Sequence, residues 1–347
     1  MYFFVFTGFI ALLVFACNEK KTGNKITRPV TDEPVKLVYP DGFDTIHFPA
    51  DNRLTRARIE LGRKIFFDTQ FSADKKIACS TCHMPANAFA DNEVTHKGAH
   101  DSINRRNTPS LINIGLHPYY DYDGGVPTLE LQVLVPFDGE TEMHSNLLTA
   151  AELMLKDSTY VALSKKAYKR KPDPFVIVRA LASYQRWLIS NGSRYDLYKK
   201  TGKGFTAEEK AGMDLFNSAK TNCTKCHSGP LFSNFAFENI GLRNTSRDTG
   251  RIRVTLNPGD VGKFKTSPLR NVALTAPYMH DGSIKTLEDV IEFYNRGGDV
   301  SRNKSEWIKP LGLTKKEKKS LVAFLKTLTD TAWTDISQGL PHYDQGD

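Results

Sequence analysis

The residues with the clearest chemistry form one five-residue pattern that occurs twice: Cys79, Cys82 and His83 in ACSTCHM, and Cys223, Cys226 and His227 in NCTKCHS. Four of the five cysteines and two of the nine histidines belong to it. Two thiols separated by two residues can add to both vinyl groups of one haem, and the histidine that follows is then held beneath the ring to bind iron. A zinc site built from two Cys-x-x-Cys pairs spaces them by ~15–20 residues, far less than the stretch from Cys82 to Cys223. A redox dithiol needs a βαβ setting, and a disulfide has no use for the histidine. The pattern predicts two covalently bound haem c groups, with His83 and His227 as proximal iron ligands.

The elements that carry these motifs repeat as well. LGRKIFF (61–67) matches AGMDLFN (211–217), TPSLIN (108–113) resembles TSPLRN (266–271), and YDYDGGVPTLE (120–130) lies over YMHDGSIKTLE (278–288). Leu54, Ala57, Leu61 and Ile65 recur at helical steps before the first motif, and Thr206 with Glu209 makes a capping box before the second. A second apolar stripe follows each motif, at Ile177, Leu181, Tyr184 and Leu188, and at Leu321, Phe324, Leu325 and Leu328 behind the box Thr314–Glu317. No alternating strand pattern stands out. The expectation is an all-α chain of two tandem cytochrome c-type haem domains related by internal duplication, at 51–189 and 205–335. A Gly- and Lys-bearing linker at 190–204 joins them, and a tail covers 336–347. In the register of the third repeat, Pro136 falls on Tyr294. Proline offers iron no donor and a phenolate does, so one haem is expected to be open and the other closed, unless Tyr294 is an aromatic packed at a helix end.

The 347 residues are 40% hydrophobic and 25% charged, an ordinary globular balance, with length enough for two cores. Residues 1–16 are uncharged and apolar, too short for a span of ~20 residues, and read as a secretory signal. LVFAC resembles a bacterial lipobox, with Ala16 at the cleavage point and Cys17 as the lipidated first residue of a polar tether, 17–50, although no Lys or Arg precedes the apolar run. The uncleaved-anchor alternative also puts the globular part outside the cytoplasm. The expected location is periplasmic, on a membrane only through Cys17. The net charge of +8 is spread over solvated helix faces such as KKAYKRK, and export argues against nucleic acid as a partner.

Residues 51–335 resemble the bacterial dihaem cytochrome c peroxidases, and within them the MauG-like branch. The two CxxCH sites, RNTPSLIN, DGGVPTLELQ, PYMHDGSIKTLE and SRYDLY carry the resemblance. It implies that hydrogen peroxide reacts at the N-terminal haem and that the C-terminal haem relays electrons. Glu142 falls on the family's catalytic glutamate, with Met143 after it, and Gln132 on the distal glutamine. Tyr122 stands between the haems where the family commonly has tryptophan. Asn107, Thr275 and Pro277 match a calcium site, the latter two through backbone carbonyls, and hard oxygen ligands suit that ion. The family's displaceable histidine falls on Ala99, near His96 and His100, and its methionine iron ligand falls on Tyr294, as in MauG-like members. Met279 lies nearby, in a turn.

The leading expectation is a peroxidase taking electrons from a cytochrome c or similar small redox protein. The alternatives are a MauG-like oxidase that uses peroxide on a protein or small-molecule substrate, and a non-catalytic dihaem electron carrier. A homodimer is left open.

Overall fold

A computed structural model describes residues 1, 31–39, 42–43, 45–46, 48–242 and 248–334. The signal, the lipobox at Ala16 and Cys17, and the tail 336–347 lie outside the described residues. Helix α1 (Arg56–Phe66) opens at the Thr55 cap, and the short α2 (Cys79–Cys82) carries the first motif. Helices α3 (Leu129–Gln132), α4 (Leu134–Asp138), α5 (Leu147–Lys156), α6 (Ser158–Tyr168) and α7 (Pro174–Trp187) follow. Then come α8 (Arg194–Thr201), α9 (Ala207–Phe216), α10 (Ile252–Thr255), α11 (Leu287–Asn295) and α12 (Lys315–Lys326).

Each lobe is built on one close helix pair. In the first, α1 packs on α7 with Gly62 against the Ala180 carbonyl, where a Cβ has no room. In the second, α9 packs on α12 with Gly212 against the Ser320 carbonyl in the same way. The expected apolar stripes are the buried faces: Ala57, Leu61 and Ile65 on α1, and Leu321, Phe324 and Leu325 on α12. The capping boxes at Thr206–Glu209 and Thr314–Glu317 are both formed. Phe66, Phe89, Tyr184 and Trp187 form the aromatic core of the first lobe, and Phe216, Phe232 and Phe324 that of the second. Trp333 crosses over: its indole packs edge-on to Trp187 and donates from Nε1 to the Ile189 carbonyl at 2.7 Å.

Two expectations need correction. The chain is helix-rich but not all-α, because β1 (Phe237–Glu238) pairs antiparallel with β2 (Phe264–Lys265). Two residues per strand are too few for alternation to register in a sequence. The stretch 190–204 is also not plain linker. Its middle is helix α8, opened by the box Ser193–Asp196. Its first residue, Ser190, is buried among Asn113, Asn271 and Asp330. There Asn113 and Asn271, both left-handed, donate backbone N–H groups to the carbonyls of Leu188 and Leu328. Among the described residues no helix is long and apolar enough to cross a membrane.

Candidate active site

The first motif begins as a helical turn. The His83 N–H closes on the Cys79 carbonyl at 2.9 Å, which brings the imidazole beside both cysteines. Its Nδ1 lies 2.9 Å from the Phe89 carbonyl oxygen, and the Pro109 carbonyl also acts on the ring. In the second motif His227 repeats this: N–H to Cys223 O at 2.8 Å, and Nδ1 to Phe232 O at 3.0 Å. Such a contact fixes the ring's orientation for a metal. Burial pushes His83 down to about 4 and lowers His227, so both rings are neutral and able to ligate. Burial pushes the Cys79 and Cys82 thiols up to about 12 and Cys226 to about 11. A redox-active Cys-x-x-Cys would show a depressed thiol instead. Cys82, Asp91 and His96 also bring potential ligand atoms within 4.8 Å of one another. With Cys82 taken by haem attachment, that set loses its soft ligand.

A cavity of about 330 Å3 joins Cys223, Cys226, His227 and Tyr294 to the apolar side chains of Leu287 and Ile291. A thiol pair, a neutral imidazole and an apolar wall fit a haem. So does His117 on the same wall: both its ring nitrogens are buried without a partner, and a carboxylate-bearing group seated in the cavity would supply one. Tyr294, on α11, is half-buried near Cys226 and Cys223, and loss of solvent around its phenol holds it above the usual tyrosine value. Tyr122 lines this cavity too, and its carbonyl accepts from the Lys265 N–H at 2.7 Å, tying the first lobe to β2. Asn107, Thr275 and Pro277 share the cavity wall. Asn107 donates from Nδ2 to the Glu93 carbonyl at 2.9 Å, which turns its Oδ1 the other way.

At the first motif, Glu142 sits in the turn after α4, its N–H on the Gly139 carbonyl and its carbonyl accepting from Ala99. Burial, then Asp121, raises its pKa, while a hydrogen bond from Asn104 opposes them. Asp121 is itself raised by burial and contacts Gln132, whose Oε1 is buried without a partner among the described residues. Glu142, Asp121 and Gln132 thus form one cluster near the first motif. The neighbours of Ala99 are not free to enter it. His96 has both ring nitrogens engaged, with Thr108 and Asn104, and His100 is exposed, held at its backbone by Asp74. Met279 lies in a left-handed turn on the wall of the second site.

The model of the di-haem cytochrome c peroxidases matches residues 56–204. Cytochrome-c peroxidase IdrP1 of Denitromonas iodatirespirans is 32% identical over 317 residues, covering 82% of this chain and 84% of its own. Methylamine utilization protein MauG of Methylorubrum extorquens is 31% identical over 293 residues, covering 82% of each. The chain belongs to the di-haem cytochrome c peroxidase family. Among solved structures, a MauG-like protein associated with microbial copper homeostasis superimposes with TM-score 0.84 at 31% identity, covering 88% of this chain and 98% of that one. This peroxidase is therefore an oxidoreductase that carries two haem c groups and reduces hydrogen peroxide with electrons from a cytochrome c or similar donor.

The sequence reading of this peroxidase passed over four residues at its sites. Asp121 was within reach, since it falls on Met279 in the repeat and so puts an acid where the second copy is apolar. Lys265 is pushed down to about 8 by burial and donates to the Tyr119 carbonyl at 2.8 Å. His117 and Asn104 carry no local signal, because tertiary packing alone gives them their neighbours.

Proposed function

We propose that peroxide is reduced at the N-terminal site with Glu142 as the proton carrier and Gln132 as the orienting group. Electrons arrive by way of Tyr122 and a second haem ligated by Tyr294. The observation that carries this is the grouping of Glu142, its pKa raised, with Asp121 and the Gln132 amide that bonds Asp121, the Gln132 Oε1 being without a partner among the described residues. Haem supplies the redox-active iron, whose potential follows its axial ligands. Ionised Glu142 takes the proton from the inner oxygen of peroxide and returns it to the outer one. With two electrons from the donor and two further protons, two waters leave. The Gln132 Oε1 accepts from a peroxide hydroxyl and holds it for that transfer. General acid–base help of this kind is worth ~10²–10⁴-fold.

Tyr294 favours a second reading, peroxide-dependent oxidation of a protein or small-molecule substrate. An anionic oxygen ligand suits holding an oxidising equivalent better than the thioether of a methionine. Asn107, Thr275 and Pro277 are read as holding one Ca2+ at the seam between the lobes. The apolar start of the chain and Cys17 support a periplasmic, lipid-anchored enzyme, and a homodimer is compatible with this.

The test is steady-state peroxide turnover against a panel of reduced cytochromes, for wild type and Glu142→Gln. Turnover lost by at least a hundredfold in the variant supports the assignment, and a variant as fast as wild type overturns it. Failure of every cytochrome to donate, with peroxide still consumed, would favour the oxidase.

A further inference from the structure

Asn104 reaches Glu142 from the loop between His96 and Arg106. Its Oδ1 accepts from the backbone N–H groups of Arg105 at 2.6 Å and Arg106 at 3.2 Å. An amide whose oxygen is held by two donors must turn its NH2 the other way. On that side Nδ2 donates to Glu142 Oε1 at 3.3 Å and lies 3.1 Å from His96 Nε2. An amide NH2 carries two hydrogens, so it serves both acceptors together.

That assignment runs on without a mismatch. If Nε2 of His96 accepts, its proton is on Nδ1, which lies 3.1 Å from Thr108 Oγ1. The Thr108 hydroxyl in turn donates to Asp91 Oδ2 at 2.5 Å, and both Thr108 and Asp91 are buried. Every group finds its complement, which is what makes a buried polar chain rigid. The same loop grips the Glu142 backbone. Ala99 donates its N–H to the Glu142 carbonyl at 2.7 Å, and Gly98 lies so close to the Thr141 and Glu142 carbonyls that no Cβ would fit.

We propose that Asn104 is the positioning residue that aims Glu142, with His96, Thr108 and Asp91 as its brace. The inference rests on the assignment of Glu142 made above. By donating to Oε1, the amide favours the ionised carboxylate and holds that oxygen, leaving Oε2 to exchange the peroxide proton. Asn104 itself does not touch the reacting atoms. The titratable groups facing Glu142 are Asp121, Cys79 and Cys82, with His96 beyond the amide.

The experiment uses the holoprotein as wild type, Asn104→Leu, Asn104→Asp and Glu142→Gln. The carboxyl stretch of Glu142 is identified in infrared difference spectra by its loss in Glu142→Gln, and is then titrated in the other three. Removing the donor should move the Glu142 midpoint up by about half to one pH unit, the range of an ordinary net hydrogen bond and fitting for a contact of 3.3 Å. Asn104→Asp keeps the shape and the acceptor for Arg105 and Arg106 but loses the NH2, so it should shift at least as far, even if the leucine variant folds poorly. The acid limb of the kcat profile should move with the midpoint. Midpoints equal to wild type in both variants overturn the proposal. If Glu142→Gln turns over normally while the midpoints still move, Asn104 holds Glu142 as described and the catalytic reading of Glu142 is what fails.

Discussion

His83 and His227 are held alike, each with Nδ1 on the backbone carbonyl of a phenylalanine, Phe89 at 2.9 Å and Phe232 at 3.0 Å. The two rings are thus oriented alike, each following its own cysteine pair.

About two haems per chain should survive acid–acetone extraction, because thioether links are covalent. Replacing Cys79 and Cys82 by serine should abolish the reaction with peroxide, and replacing Cys223 and Cys226 should leave ligand binding but end the relay. Peroxide binding that depends on the second pair and not the first would reverse the roles of the two sites.

The N-terminal site should be high-spin at rest and need no prior reduction. Both ring nitrogens of His96 are committed and His100 faces solvent, so neither supplies a sixth ligand. Electron paramagnetic resonance of the resting protein checks this. A low-spin bis-histidine signal that disappears in His96→Ala or His100→Ala would mean that a neighbour has swung in.

Much of this was legible because it is local. The stripes on α1 and α12 and the boxes at Thr206 and Thr314 depend on residues three or four apart, and all four formed. The box Ser193–Asp196 was equally readable but opens a helix with no fully buried residue, only Tyr195 packing on the core, so no periodicity drew attention to it. Asn104 was invisible for another reason: its partners His96 and Glu142 come from eight and thirty-eight positions away. The likeness of the repeated motifs also hid differences. Glu130 forms a buried bidentate pair with Arg186, at 2.6 and 2.7 Å, whereas its counterpart Glu288 meets Lys326 near solvent at 3.5 Å.

Asp121→Asn should move the acid limb of the pH–rate profile to lower pH. Glu142 must be ionised to accept a proton, so activity falls as pH drops through its raised pKa. Asp121 contributes to that rise, and removing its charge lets Glu142 ionise earlier. A limb that stays in place, with Asp121→Asn fully loaded with haem, would show that Asp121 is neutral throughout.

Tyr294→Phe should change the spectrum and potential of the second haem while preserving aromatic bulk, and Tyr294→Met should raise that potential, because thioether ligation does so. If the phenylalanine variant's spectrum matches wild type, Tyr294 only packs. If wild type already oxidises cytochrome c briskly and the methionine variant is slower, the peroxidase reading stands over the oxidase one.

Gly62→Ala and Gly212→Ala should each destabilise the protein by roughly 1–3 kcal/mol, the usual range for overpacking. In both cases the added methyl meets a backbone carbonyl that cannot turn aside. Thermal melting of the two holoproteins measures it, and unchanged midpoints would mean that the helix pairs separate easily.

Trp333 gives the molecule an order of assembly. Its indole is seated beside Trp187 and Phe89, in the core of the lobe that is synthesised first. Translation delivers Trp187 more than a hundred residues before the tryptophan that packs on it. The core behind the first motif therefore lacks one wall until Trp333 has been made. The first lobe is thus closed by a residue that follows α12 of the second.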